Sequence, residues 1–185
     1  FRIIGLSREL TAITGNRFTS PKWFTDYVKD LKPEENCLNI HITNDAEVLC
    51  PRYTAIAMDN IKIEQSPIEI RSTLIKCGIK PTNNIVDITN YISLIFGQPM
   101  HAFDYDKIVF NDPNGGDRAD IKIRLAHDGE SILGLDNKIH TLNSNMMVIA
   151  DSTNPIAIAG VIGGKDTEVD FNTHRIIFES ANFDK

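Results

Sequence analysis

Cysteine is scarce in this chain. Cys37, Cys50 and Cys77 stand too far apart for a disulfide framework, and no CxxC pair offers a zinc site. They read as reduced thiols in a cytosolic compartment. No apolar run approaches the ~20 residues that a bilayer-spanning helix needs, so no membrane role is expected. Arg2 and Arg8 interrupt the first apolar segment, and no signal peptide is expected. Surplus positive charge is also missing. The net charge is −6 and Lys and Arg do not cluster, which argues against a face that grips nucleic acid by itself. If the substrate includes a nucleic acid, most of the grip must come from elsewhere. No histidine pair has HxxxH or HExxH spacing, so a metal site is not expected.

The chain has 185 residues, 42% hydrophobic and 24% charged, which is the balance of a soluble globular protein. It can bury one good core or two small ones. It opens on Phe1 rather than Met, as a piece of something longer would.

Ile3, Leu6, Leu10 and Ile13 fall at helical spacing and predict an amphipathic helix over 2–13, ended at Gly15. Residues 15–22 read as a linker, 23–31 as a short helix before Pro33, and 38–43 as a strand. A second unit begins near Cys50-Pro51. Residues 53–63 alternate as a strand pair or a bent strand. Ser66-Pro67-Ile68-Glu69 predicts a helix start, with Ser66 as cap and Glu69 closing a capping box. That helix turns Ile70, Leu74 and Ile75 inward and stops at Gly78. A second helix is predicted over 87–96, closed by Gly97, followed by a non-helical arm over 98–104. Strands are predicted over 121–125, 138–142, 146–150, 156–162 and 175–178. Helices early and strands late predict an α+β fold: a mixed, mainly antiparallel sheet with helices from the N-terminal half packed on it.

Asn90, His101 and Glu179 would not define a site by themselves. His101 sits on the proline-stiffened arm, where bracing a loop is the plainer role. Glu179 ends an apolar strand, facing either solvent or a pocket. The glycine run Gly160-Val161-Ile162-Gly163-Gly164 lacks both the GxGxxG and the GxxxxGK[ST] spacing. Its glycines more plausibly let backbone approach a ligand or another strand.

In combination these segments are far more specific. The run DITNYISLIFGQPMHAFD, from Asp87 to Asp104, is similar to the VVDVTNYV–GQPMHAFD signature of bacterial-type phenylalanyl-tRNA synthetase β subunits. VIADSTNPIAIAGVIGG, its spacing to IIFESANF, the opening RIIGLSRELTAITG and the PRY at Pro51 also resemble that family. The resemblance implies a preceding helical and linker segment over 1–45 and an editing (B3/B4) domain over 46–185, shortened at its C-terminal end. It implies cis-editing hydrolysis of mischarged tyrosyl-tRNA(Phe), within the enzyme that attaches phenylalanine to that tRNA. Carried over residue by residue, His101, Asn90 and Thr89 take the catalytic positions. Glu179 reads the tyrosine hydroxyl, and Gly163, with Gly160 and Gly164 nearby, lies against the bound amino acid. These residues are expected to line one cleft. No cofactor is expected in this stretch, since ATP and magnesium serve the full synthetase elsewhere. The implied partners are the acceptor end of tRNA(Phe), the α subunit and a second β subunit in an α2β2 assembly, in the cytoplasm. A non-catalytic module that docks tRNA or holds the subunits together is the alternative.

Overall fold

The computed structural model describes residues 2–25, 38–113 and 115–184. Among them, no helix is long and apolar enough to cross a membrane. Helix α1 (Ile3–Thr14) ends at Gly15, whose φ of 69° is the left-handed conformation that glycine adopts without penalty. Helix α2 is Lys22–Thr25, and the rest of the helix expected over 23–31 lies outside the described residues. Strand β1 (Asn39–Asn44) and strand β2 (Arg52–Met58) follow. β2 stops well short of Ile63, so the expected strand pair is a single strand.

Helix α3 (Ile68–Lys76) departs from the expected capping box. Pro67 is the N-cap and no side chain caps the helix. The Ser66 hydroxyl instead donates to the buried Asp87 carboxylate at 2.5 Å, a partner 21 residues away. Leu74 is fully buried, but Ile75, expected inward, is exposed. Helix α4 (Asn84–Phe96) begins three residues before the expected start. The Asn83 side chain accepts from the Val86 N–H at 2.9 Å, satisfying one of the helix's unpaired donors. Asn83→Ala should therefore cost about 1 kcal/mol, read as a lower urea midpoint with unchanged slope. An unchanged midpoint would show that α4 is held by packing alone.

The non-helical arm after α4 is, from Met100 on, a strand, β3 (Met100–Asp104), whose pairing the sequence did not indicate. It runs into helix α5 (Tyr105–Phe110), capped by Asp104, which accepts from the Lys107 N–H at 3.1 Å. Six residues are too short to show helical periodicity, so α5 has no sequence signal. Strands β4 (Arg118–Leu125), β5 (Ser131–Leu133), β6 (Ile139–Thr141), β7 (Met147–Ala150), β8 (Pro155–Ile158), β9 (Ile162–Gly163) and β10 (Ile176–Asn182) complete the chain. Glu179 lies inside β10, not at a strand end as its apolar run suggested.

Three sheets form. The largest has the order β1-β4-β7-β8-β9, the second β2-β10-β3, and β5-β6 is a small ribbon. Only β1–β4 is a parallel pair among the described strands, and the rest are antiparallel. The α+β class expected from the order of elements is the observed one. The layering follows from residue alternation. On β10, Ile177, Glu179 and Ala181 face one way, while Ile176 and Phe178 face the other. Ile177 joins Phe103 of β3, Ala119, Ile121 and Ile123 of β4 and Ile149 of β7 in the core between the two larger sheets. Ile176 and Phe178 pack with Ile85 of α4 and with Ile63 on the helical side. Each fully buried Ile or Phe contributes about 1.5–3 kcal/mol. The three-stranded sheet is thus a middle layer, with α3 and α4 behind it and the five-stranded sheet in front.

Candidate active site

At one end of the inter-sheet core the apolar filling stops and a cavity of about 460 Å³ opens. Its wall includes His101, Gly160, Gly163, Glu179, Ile149 and Phe183. His101 and Glu179 are direct cross-strand partners in the β3–β10 ladder, so their side chains leave the sheet on the same face. This pairing joins two segments that are remote in sequence. It is held at its rim by Gln98, whose amide donates to the Ala181 carbonyl at 3.0 Å and the Pro99 carbonyl at 3.1 Å.

Glu179 is buried, 6% exposed. Its Oε2 accepts a hydrogen bond from the Tyr53 hydroxyl at 3.0 Å. The register explains the reach: Ala55 of β2 sits opposite Glu179, and Tyr53 opposite Ala181, which makes Tyr53 the diagonal neighbour. Burial pushes the Glu179 carboxyl up to about 7, against the opposing pull of the Tyr53 hydrogen bond. Burial, the Glu179 charge and the hydrogen bond to it push the Tyr53 phenol well above its ordinary range. The Cys50 thiol is likewise raised by burial and then by the Glu179 charge.

The His101 ring stacks edge-on against Phe103, with centroids 4.6 Å apart and planes at 77°. Burial lowers it to about 4, so the imidazole is neutral near pH 7. One face lies against Gly163: a Cβ there would stand 2.6 Å from His101 Cε1 and 2.7 Å from Nε2. Only glycine leaves that space to the imidazole.

The glycine run forms the β8–β9 hairpin. Gly160, with φ of 70°, takes the third position of a turn closed by the Val161 N–H to the Ile158 carbonyl at 3.0 Å. The Gly164 N–H donates to Ile156 at 2.7 Å, so Ala157 and Gly163 are the non-hydrogen-bonded pair. The Gly163 N–H therefore turns away from β8, while its carbonyl accepts from the Leu135 N–H at 3.0 Å.

The expected convergence is partial. His101, Glu179, Gly160 and Gly163 line the one cavity. Gly164 lies beside it, where a Cβ would meet the Ile156 carbonyl oxygen at 2.6 Å, so it serves strand packing. Asn90 and Thr89 do not line the cavity. They sit about two helical turns before Gly97, the point at which α4 reaches it, some ~10 Å along the axis. The buried Thr89 hydroxyl is already used, donating to the Val86 carbonyl at 2.7 Å. Tyr53 was not anticipated from the sequence. It belongs to the PRY segment, but only the β2–β10 register brings it to Glu179. Among the described residues no cluster of His, Cys, Asp or Glu has the arrangement to hold a metal ion.

A buried carboxyl with a raised pKa makes stability depend on pH. Folding favours the protonated form, so Glu179 is stabilising below about 4.5, and that contribution is lost as pH rises through about 7. Glu179→Gln keeps the shape and removes the charge. At pH 8 it should raise the unfolding free energy by up to about 3 kcal/mol, with the gain shrinking on acidification. Urea unfolding of both proteins from pH 5 to 8 checks this, and parallel pH profiles would refute it.

The family model described as the B3/4 domain matches residues 49–185. The phenylalanine–tRNA ligase beta subunit of Clostridium acetobutylicum is 42% identical over 182 residues, covering 98% of this chain and 22% of that protein. That of Carboxydothermus hydrogenoformans is 40% identical over 181 residues, covering 98% and 21%. Among solved structures, an N-terminal fragment of the phenylalanyl-tRNA synthetase beta subunit from Pyrococcus horikoshii matches with a TM-score of 0.58. It is 16% identical, over 83% of this chain and 46% of that one, a likeness of fold. The chain belongs to the B3/4 domain family. It spans about a fifth of the length of the two ligase subunits compared.

Proposed function

We propose that this domain hydrolyses tyrosine wrongly esterified to tRNA(Phe), as the editing module of a phenylalanyl-tRNA synthetase. The observation that carries the reading is the cross-strand pair His101–Glu179 opening with Gly163 onto one cavity. The cavity's volume suits one amino acid with the terminal ribose at its mouth. The reaction is ester hydrolysis: water adds to the carbonyl, the ester C–O bond breaks, and the proton passes to the departing ribose oxygen. Neutral His101 orients the water by accepting from it. The Gly163 N–H, turned away from β8, is the donor for the developing oxyanion. Glu179 Oε1 carries no hydrogen bond from the described residues and accepts the substrate's phenol O–H. A site built around that hydrogen bond disfavours phenylalanine, which leaves the acceptor unpaired. Asn90 and Thr89 support α4 behind β3 instead of touching the ester.

Water is the only co-reactant, and ATP and magnesium belong to aminoacylation elsewhere in the full enzyme. The α subunit, a second β subunit and the rest of this one deliver the acceptor end in the cytosol. The acidic balance of this stretch fits delivery from elsewhere. The test is deacylation of tyrosyl- and phenylalanyl-tRNA(Phe) by the assembled synthetase, with and without substitutions at Glu179 and Gly163. An enzyme whose tyrosyl-tRNA(Phe) hydrolysis survives both substitutions unchanged would place the chemistry outside this cavity. The module would then be one that only docks tRNA or neighbouring subunits.

A further inference from the structure

We propose that Tyr53 is a positioning residue for substrate selection: its hydroxyl clamps one oxygen of Glu179, favouring the ionised carboxylate and aiming its other oxygen into the cavity. The inference rests on the reading of Glu179 as acceptor of the substrate hydroxyl. Three observations carry it. The Tyr53 hydroxyl donates to Oε2 at 3.0 Å, across a register that fixes both side chains on the inner face of the sheet. Oε1 has no hydrogen-bond partner among the described residues. It is also not a fully closed-off atom, since the only such unpaired side-chain atom among them is Thr167 Oγ1. Glu179 borders the cavity, so Oε1 opens there.

The division of labour has a physical reason. A lone carboxylate at a buried position rotates freely about its terminal torsion and takes up a proton to escape desolvation. A phenol donor fixed to one oxygen opposes both. It favours the ionised form and pins the carboxylate plane, so the remaining oxygen meets the incoming phenol as a charged acceptor. Tyr53 is itself anchored. It packs against the inter-sheet core, and β2 is held along its whole length by β10. The titratable groups facing Glu179 are Tyr53 on β2, the Cys50 thiol just ahead of β2, and His101 on β3. The thiol and the phenol are both uncharged near neutral pH, since burial, and then the Glu179 charge, raises each of them. His101 is neutral there as well. Tyr53 is thus the group whose removal changes the ionisation of Glu179 without changing any other charge.

Tyr53→Phe in the assembled synthetase tests this. At pH 7 it should lower kcat/KM for tyrosyl-tRNA(Phe) by about tenfold. Deacylation of phenylalanyl-tRNA(Phe) should be unchanged. The pH at which tyrosine preference is half-lost should move upward, so the variant's deficit shrinks toward pH 8.5 to the part due to the unpinned carboxylate plane. In a Glu179→Gln background, Tyr53→Phe should produce no pH shift, because nothing is left to titrate. A pH-independent loss, or an equal loss on both aminoacyl groups, would overturn the proposal, as would the same pH shift in the Glu179→Gln background. If the phenylalanine variant unfolds, 3-fluorotyrosine at position 53 keeps the shape and donates more strongly. The preference limb should then move downward, and an unmoved limb would overturn the proposal. The two levels separate cleanly. If Glu179→Ala leaves tyrosine preference intact, the reading of Glu179 fails. If Glu179→Ala abolishes the preference while Tyr53→Phe matches the parent enzyme at every pH, only the role of Tyr53 fails.

Discussion

Replacing Glu179 by alanine in the assembled synthetase should lower kcat/KM for tyrosyl-tRNA(Phe) by about one to two powers of ten and leave phenylalanyl-tRNA(Phe) untouched. The asymmetry comes from the substrates. Tyrosine loses a hydrogen bond to a charged acceptor, worth roughly 1.5–3 kcal/mol. Phenylalanine never used that acceptor, and a cavity relieved of an unpaired carboxylate receives it as well or slightly better. The same substitution also frees the Tyr53 hydroxyl, which then sits at an inner sheet face without its partner. That penalty falls on the protein alone and is common to both substrates. The ratio of the two deacylation rates therefore isolates recognition from stability. Equal slowing of both substrates would show that Glu179 is not the hydroxyl reader.

Gly163→Ala should have the opposite profile: a loss of about 10²-fold in kcat on every aminoacyl ester, with the tyrosine preference preserved. The added methyl would stand 2.6 Å from a ring carbon of His101 and 3.1 Å from Leu135 Cδ1, so the imidazole has to move. His101 is also hemmed in by Phe103, which leaves it little room to swing away without entering the cavity. A displacement of that size at the group that orients the attacking water is felt in the rate, not in the choice of side chain. His101→Ala should likewise slow hydrolysis without altering preference. Because it removes the obstacle, adding Gly163→Ala to it should cost little more. Single-turnover deacylation of the two single variants and the double variant checks this coupling. Additive losses would mean that Gly163 acts through its own backbone and not through the ring.

The two substitutions probe different kinds of information. Local chemistry was legible along the chain. Gly15 and Gly97 terminate helices where the sequence pattern put them, and both have positive φ. The alternation of Ile121 and Ile123 with Lys122 and Arg124 marked β4 and its buried face. These features depend on residues a few positions apart, where periodicity and backbone sterics decide. Where a distant partner competes, local rules failed. Ser66 was an apt helix cap until Asp87 claimed its hydroxyl. The arm holding His101 had no strand signature of its own, because it becomes a strand only by pairing with β10.

The site divides along the same line. The sequence by itself determined which residue types were available for ester chemistry: an imidazole, a carboxylate and a glycine-rich hairpin, each in a recognisable local context. It also determined the apolar alternation that drives two sheets to bury a common core. Tertiary structure alone decided that His101 and Glu179 face each other, that Asn90 lies outside their cavity, and that Tyr53 reaches Glu179 across 126 residues. The physical reason is register. A shift of one residue in either ladder would turn Glu179 from the cavity to the helical side, and local propensity is blind to such a shift. Only the simultaneous burial of Ile177, Phe103 and their partners between the sheets selects it.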